Sequence, residues 1–379
     1  MKVLIVYHAG ATDNARAIFA ALAAHTGLEL TVIAPQVLKV DAVYDPGGWL
    51  RVEREETANG YRLIPAPLRD PADYRHGFHR GPLRRILAEL QPDIIHVFDE
   101  LTSRYLHQIA WYRPHVASQS KVLFYAFNNL PVSPRRRLEG KLFWRLTDGG
   151  AAASTDAVEN LRRDGYARNL PVERIFWGVS TDAFKPMDRR ALRNQLGLGS
   201  AHYIGYVGRF IPEKGLAILQ AALALVPEDI RCLLIGCGPL RDELELWSTS
   251  PAVRDRIRLV SPMPPDDLAR HLNCMDALVL PSITTAHWKE QYGRVLAEAM
   301  ACGTPVIGTN SGAIPEVIGS AGIVVAEQDS QALADAIRQV VFDHDTQQRL
   351  RDDGLKRAQQ QLSAYAMAQR LVDLYERVV

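Results

Sequence analysis

Two glutamates eight positions apart, Glu290 and Glu298, bracket the stretch EQYGRVLAE. The surrounding pattern predicts a helix over 292–301 that stops at Gly303–Thr304–Pro305. Eight residues of helix rise roughly 12 Å at 1.5 Å per residue. That is the scale separating the two sugar rings of a nucleotide-sugar, with the diphosphate between them. Carboxylates are good acceptors for vicinal hydroxyls, and the first helical amides, around Gln291, Tyr292, Gly293 and Arg294, can cradle phosphate. Gly293 lets a ligand approach the backbone. A plainer reading stands beside this one: Glu290 as a partner of the helix dipole and Glu298 as a solvated residue.

A second constellation is GRFIPEKG, in which Gly208 and Gly215 flank Arg209 and Lys214. Two cations on one short loop suit a diphosphate, Arg as a planar fork and Lys as a point charge; a solvated basic loop fits equally. Gly236–Cys237–Gly238 opens a helical pattern, but the third glycine position of a dinucleotide fingerprint is Arg241, so a tight turn against a nucleotide or against the sheet is the better reading. No DxD motif or histidine cluster suggests a metal. Cys232, Cys237, Cys274 and Cys302 lack CxxC spacing and read as buried reduced thiols.

The elements that must position these residues are short apolar strands alternating with helical patterns, the signature of α/β architecture with parallel sheets. KVLIVY, LELTVIA, GYRLIP, PDIIHVF, KVLFYAF, GGAAAS and VERIFW are strands of a first half. HYIGYV, RCLLIG, RIRLV, DALVLP, PVIG and GIVV are strands of a second, with helices expected over 215–226, 239–247 and 265–273 between them. GVSTDAFKP breaks the alternation as a linker, and SAYAMAQRLVDLYERVV is an amphipathic helix. A length of 379 residues suits two domains. The formal charge of +1 argues against nucleic acid as the main partner. Residues 1–180 hold 23 basic against 19 acidic side chains, and 181–379 hold 21 against 24, so the first half is the more suited to an anionic surface or acceptor. The opening strand leaves no room for a signal peptide, and no apolar run is long enough to span a membrane.

GRFIPEKG, LIGCGP, ALVLPS and EQYGRVLAEAMACGTPVIGTNSGAIPEVI stand in the order and spacing of the nucleotide-sugar-binding domain of GT-B glycosyltransferases. They resemble the large retaining family numbered four, whose E-x7-E motif the opening stretch matches. The resemblance extends more weakly through YAFNNLPVSPRRRLEGKLFWRLTDGGAAASTDAVENLRRDGY and WGVSTDAFKP. It implies that Arg209 and Lys214 neutralise the leaving diphosphate, that Glu298 binds ribose, and that Glu290 contacts the transferred sugar. It implies backbone contacts to the donor from Gln291, Tyr292, Gly293, Arg294, Gly208 and Gly238, with the backbone around Met263 beside the nucleobase. The reaction implied is sugar transfer from a UDP- or GDP-linked donor to a hydroxyl acceptor, with neither metal nor cofactor.

The first half departs from that pattern. Where many relatives carry a Gly-Gly pair, HAGATDN has the single Gly10, expected near the donor phosphate. In DIIHVFDELTS the position of the family's functional histidine is Phe98, and His96 reads as packed in its strand. Asp99, Glu100, Asn128 and Asn129 are the acceptor-side candidates. The basic, aromatic stretch within 134–147 (Arg135, Arg136, Arg137, Lys141 and Arg145 among Leu138, Leu142, Phe143 and Trp144) suits either a packed solvated helix or an anionic membrane surface. The loop DYRHGFHRGPLRR, 73–85, adds positive charge. The expected architecture is therefore GT-B, with two doubly wound Rossmann-like domains facing a central cleft. It comprises an acceptor-side domain over 1–178, a linker over 179–187, a nucleotide-sugar domain over 188–360, and a helix over 361–379 packing back on the first domain. The expected setting is the cytoplasm, with or without membrane association. The competing functions are a nucleotide-sugar epimerase or phosphorylase on the same fold, and a non-catalytic nucleotide-sugar-binding homologue.

Overall fold

The computed structural model describes residues 1–40, 48–164, 170–251, 253 and 255–379, apart from the side chains of Leu142 and Phe143. Gly165 and Tyr166, at the end of the weaker stretch of resemblance, lie outside the described residues, as do those two apolar side chains of the 134–147 stretch. The chain divides into two compact units, Met1–Gly178 with Ala364–Val379, and Val179–Ser363.

The strands of the first unit are β1 (Lys2–Val6), β2 (Glu29–Pro35), β3 (Val37–Lys39), β4 (Trp49–Arg51), β5 (Glu56–Ala58), β6 (Tyr61–Ala66), β7 (Ile94–Val97), β8 (Lys121–Ala126), β9 (Gly149–Ala152) and β10 (Val172–Arg174). Its helices are α1 (Asp13–Ala23), α2 (Arg80–Leu90), α3 (Arg104–Val116), α4 (Pro134–Phe143) and α5 (Thr155–Arg163). Among the described residues they build an eight-stranded sheet in the order β10-β9-β8-β7-β1-β2-β6-β5, with β3 and β4 paired separately. Every pair in the large sheet is parallel except β5 with β6. Helices cover a parallel sheet on both faces, which is why these strands are continuously apolar rather than alternating. The small residues of β9 answer a neighbour: a Cβ on Gly150 would lie 2.6 Å from the Phe124 ring. VERIFW is strand only through Arg174. Ile175, Phe176 and Trp177 are buried as core instead, the Trp177 ring meeting Tyr7, Phe98, Tyr125 and Phe127. Within 73–85 the loop ends early, since α2 begins at Arg80.

The second unit contains α6 (Arg189–Gln195), β11 (His202–Val207), α7 (Leu216–Leu225), β12 (Ile230–Ile235), α8 (Arg241–Ser248), β13 (Ile257–Val260), α9 (Pro265–Cys274), β14 (Ala277–Leu280), α10 (Arg294–Ala301), β15 (Val306–Thr309), α11 (Ile314–Ile318), β16 (Ile323–Val325), α12 (Ser330–Phe342) and α13 (His344–Arg357). Its sheet of six described strands is parallel throughout, in the order β13-β12-β11-β14-β15-β16.

The chain then returns to the first unit as α14 (Ala364–Val378), which buries Met367, Leu371, Leu374 and Tyr375 and packs against α1. The Tyr375 hydroxyl lies 2.8 Å from His96 Nδ1, so His96 is the packed strand histidine that the sequence suggests. Burial holds His96 far below its ordinary value, at about 3, and holds His8 and His107 at about 4. An unfolded chain protonates these imidazoles below about 6.5, while the folded unit does not. Stability from the three is therefore complete above that pH and falls as pH drops toward 4. Asp99 and Glu100, pushed up by burial, act in the opposite direction. The first unit is expected to lose stability between pH 6.5 and 5. In His96→Asn the slope of stability against pH should fall by about 1.4 kcal/mol per pH unit. Denaturant titrations at successive pH values measure this, and identical slopes in both proteins would refute the assignment.

Candidate active site

In the second unit β11 and β14 lie side by side at the centre of the sheet. From β11 the chain passes to β12 on one side, and from β13 it returns to β14 on the other. Ligands of open parallel sheets bind beyond the carboxyl ends of the strands at such a reversal point. The loop after β11 carries Gly208 to Gly215, and the loop after β14 carries Pro281 to Gly293. The Ile283 amide donates to the Glu213 carbonyl at 2.8 Å and ties the two together.

Across this point Lys214 Nζ lies 2.5 Å from Glu290 Oε2, and Ser282 Oγ donates to the same oxygen at 2.8 Å. Both charged side chains are largely buried, 13% and 8% exposed. The ammonium also sits 5.3 Å from the Trp288 ring centroid. Burying an ion pair costs desolvation that its attraction barely returns. A fold that keeps one here holds a cation and a carboxylate ready for a ligand presenting an anion to the first and hydroxyls to the second.

The main chain of Glu290 is fixed from the loop after β15. The Ala313 amide donates to the Glu290 carbonyl at 3.0 Å. Gly312, at φ 52°, passes so close that a Cβ would lie 2.0 Å from that carbonyl oxygen. The helix begins later than its sequence pattern suggests, at Arg294, because Gly293 takes a left-handed conformation (φ 78°) as its N-cap. Gln291 and Tyr292 therefore belong to the preceding loop, and the 12 Å of helical rise between the two glutamates does not apply. Glu298 is buried rather than solvated, and its carboxylate accepts from Arg294 Nε at 2.9 Å. Burial raises the Glu298 pKa, with Arg294 opposing the shift.

Arg209 is exposed, and its carbonyl accepts from the Tyr206 hydroxyl at 2.6 Å. The Gly236–Gly238 turn packs on this loop: the Phe210 amide donates to the Cys237 carbonyl at 2.7 Å, and a Cβ on Gly238 would lie 2.6 Å from the Phe210 carbonyl. Met263, half-buried, lies in the loop after β13. Ser282, Trp288, Ser311, Gly312 and Glu327 have no role in the sequence reading. Thr284 Oγ1 contacts Ser311 Oγ at 3.0 Å and donates to Glu327 at 2.7 Å. The signal that could find Ser282, Ser311 and Gly312 is the position of PSITT and NSGA directly after strands.

In the first unit Gly10 is buried in the loop after β1, its amide donating to the Tyr7 carbonyl. Asp99 and Glu100 follow β7. Glu100 Oε1 accepts the amides of Phe127 and Asn128 at 2.7 and 2.8 Å. The Asn128 side chain closes a turn onto Leu130, and Asn129 is buried. On α4, Arg137 pairs with Asp164 at 2.8 Å, and Leu138 is 64% exposed. Among the described residues no helix is long and apolar enough to cross a membrane.

Residues 188–357 match the family described as glycosyl transferases group 1. This segment belongs to that family. The chain is 33% identical over 210 residues to a D-inositol 3-phosphate glycosyltransferase of Corynebacterium urealyticum, covering 51% of this chain and 48% of that one. It is 32% identical over 188 residues to the GDP-mannose-dependent alpha-(1-6)-phosphatidylinositol monomannoside mannosyltransferase of Mycolicibacterium smegmatis, covering 47% and 49%. The chain thus spans about half the length of these curated relatives. Among solved structures, HepE of Anabaena in complex with UDP superposes with a TM-score of 0.76 at 19% identity, covering 100% of both chains. Sucrose-phosphate synthase of Thermosynechococcus elongatus gives 0.73 at 22%, covering 100% and 99%. The fold of the chain is therefore the α/β GT-B type, with two Rossmann-like domains.

Proposed function

We propose that the protein transfers a sugar, with retention of anomeric configuration and without a metal, from a UDP- or GDP-linked donor to a hydroxyl acceptor. The observation that carries this reading is the buried Lys214–Glu290 pair at the reversal point of the second sheet. A donor diphosphate would draw Lys214 and the exposed Arg209 onto its oxygens. Charge developing on the leaving phosphate would then meet these cations and the first amides of α10, and electrostatic stabilisation of this kind is usually the largest single contribution to lowering such a barrier. Released by the ammonium, Glu290 would accept hydroxyls of the transferred sugar, still held by Ser282. Glu298, with Arg294 beside it, would accept the ribose hydroxyls. Gly208, Gly238, Gln291, Tyr292 and Gly293 would offer backbone contacts, and Met263 would border the base. Retention follows if the acceptor attacks from the face the phosphate leaves, the phosphate oxygen taking its proton.

HepE, solved with UDP and with UDP-glucose, and the GDP-mannose-dependent relative support a nucleoside diphosphate donor. The relatives named for inositol phosphate and phosphatidylinositol mannoside support a polyol or lipid-linked acceptor. A lipid-linked acceptor would suit contact between an anionic membrane and the basic face of α4, at the cytoplasmic side.

Thermal unfolding with UDP, GDP, ADP, CMP and dTDP and their sugars tests the donor. A ligand at 100 times its dissociation constant adds about 2.7 kcal/mol, which raises Tm by roughly 2–4 °C in domains of this size. One nucleotide should give that shift, reduced in Glu298→Gln. No shift with any of them would refute the proposal.

A further inference from the structure

The first sheet has its own reversal point, between β1 and β7. The chain leaves β1 for β2 on one side, and β7 lies on the other. Two residues beyond β1 stands His8, and two beyond β7 stands Asp99. Lys214 and Glu290 also stand beyond adjacent strands of the second sheet, farther along the loops after β11 and β14. Each sheet therefore sets a nitrogen base and a carboxylate across the crevice where parallel sheets bind ligands.

The His8 ring is fixed by stacking. Tyr74 lies parallel to it at 3.9 Å between centroids, and Tyr105 lies beyond at 6.4 Å. Tyr74 is delivered by the segment 67–79, which is closed by an Arg69–Gly77 backbone bond and anchored on α3 by both polar atoms of Gln108. His8 Nδ1 is buried, has no hydrogen-bond partner among the described residues and points toward Asp99 Oδ2 at 3.9 Å. The side chain as a whole is 22% exposed, so its accessible edge is not the one that faces Asp99. A gap of 3.9 Å is longer than a hydrogen bond, but pairs of this kind commonly tighten only when a ligand is bound.

We propose that Asp99 and His8 form a dyad in which His8 Nε2 binds a hydroxyl of a polyol or sugar acceptor, with Asp99 as the positioning residue that fixes the imidazole tautomer. The proposal rests on the transferase reading above. An ionised Asp99 draws the imidazole proton to Nδ1 and leaves Nε2 to accept a hydroxyl hydrogen. A protonated Asp99 reverses the tautomer, so that Nε2 becomes a donor. Burial pushes Asp99 up to about 7 and His8 down to about 4, which places the change near neutrality with the ring uncharged. The other groups facing the pair are Tyr7, edge-on to the His8 ring at 4.9 Å, Tyr74, Tyr105 and Glu100, with Asp73 and Arg75 on the Tyr74 segment.

The test is ¹⁵N NMR of the histidine-labelled full chain, with the His8 signals identified by their loss in His8→Phe. That variant keeps a ring against Tyr74. Between pH 6 and 8 Nε2 should change from protonated to unprotonated, and in Asp99→Asn the tautomer should stay fixed. At pH 8, methyl α-D-glucopyranoside or myo-inositol should shift the Nε2 signal of the wild type and leave that of Asp99→Asn unmoved. An unchanging tautomer in the wild type, the same change in Asp99→Asn, or no shift with either polyol would overturn the dyad. The nucleotide-induced Tm shift should survive in His8→Phe. Its absence from the wild type would count against the transferase reading and leave the dyad to be judged by its tautomer.

Discussion

Lys214→Ala is expected to lower sugar transfer about 10³-fold, the scale on which a fixed donor to a developing negative charge acts. The same change should destabilise the second unit by about 3 kcal/mol, since Glu290 is left buried beside Ser282 with the Lys214 charge gone. The two effects separate in the double variant Lys214→Ala/Glu290→Gln. Neutralising the buried carboxylate should recover most of the stability, while transfer stays at or below the level of the single variant. Denaturant unfolding and single-turnover transfer assays measure the two quantities. Recovery of transfer together with stability would reduce the pair to a structural feature and remove the basis of the proposed mechanism.

Gly312→Ala is expected to be as damaging, although Gly312 carries no side chain of its own. The new Cβ would sit 2.0 Å from the Glu290 carbonyl oxygen and 3.0 Å from its amide nitrogen, in a left-handed conformation. The loop must retreat, which breaks the Ala313–Glu290 backbone bond that fixes the carboxylate. A loss of roughly 2–4 kcal/mol should accompany nearly complete loss of transfer. Gly27→Ala is the control: its φ is 80°, but nothing lies within 4 Å of the added atom. It should cost only the conformational penalty, about 1–2 kcal/mol, with transfer intact. Equal effects of the two substitutions on Tm and on rate would show that contact with Glu290 is irrelevant.

Most of the fold is readable from hydrophobic pattern together with run length and flanking turn residues, because buried parallel strands leave short apolar runs such as KVLIV and ALVL. The failures have local causes. The start of α10 is misplaced by two residues because a glycine at positive φ can cap a helix without a polar side chain. The last residues of VERIFW resemble strand because core burial and strand pairing demand the same residue types. At the site, residue types and loops are legible, but encounters are not. Lys214 and Glu290 are 76 positions apart and meet only because β11 and β14 are neighbours. The role of Gly312 is a matter of clearance, which no pattern of polarity reveals. His8 escapes notice for the same reason, since its partner at Asp99 depends on strand order.

The return of α14 to the first unit has a consequence for biosynthesis. The first unit needs Leu371, Leu374 and Tyr375 to cover its α1 side and to meet His96. All of the second unit, Val179–Ser363, emerges from the ribosome before those residues do. Domains ordinarily complete in the order they are translated; here the later one closes first. The earlier waits with an apolar flank uncovered, and a stalled or truncated chain would expose that flank to chaperones while its second unit was already folded.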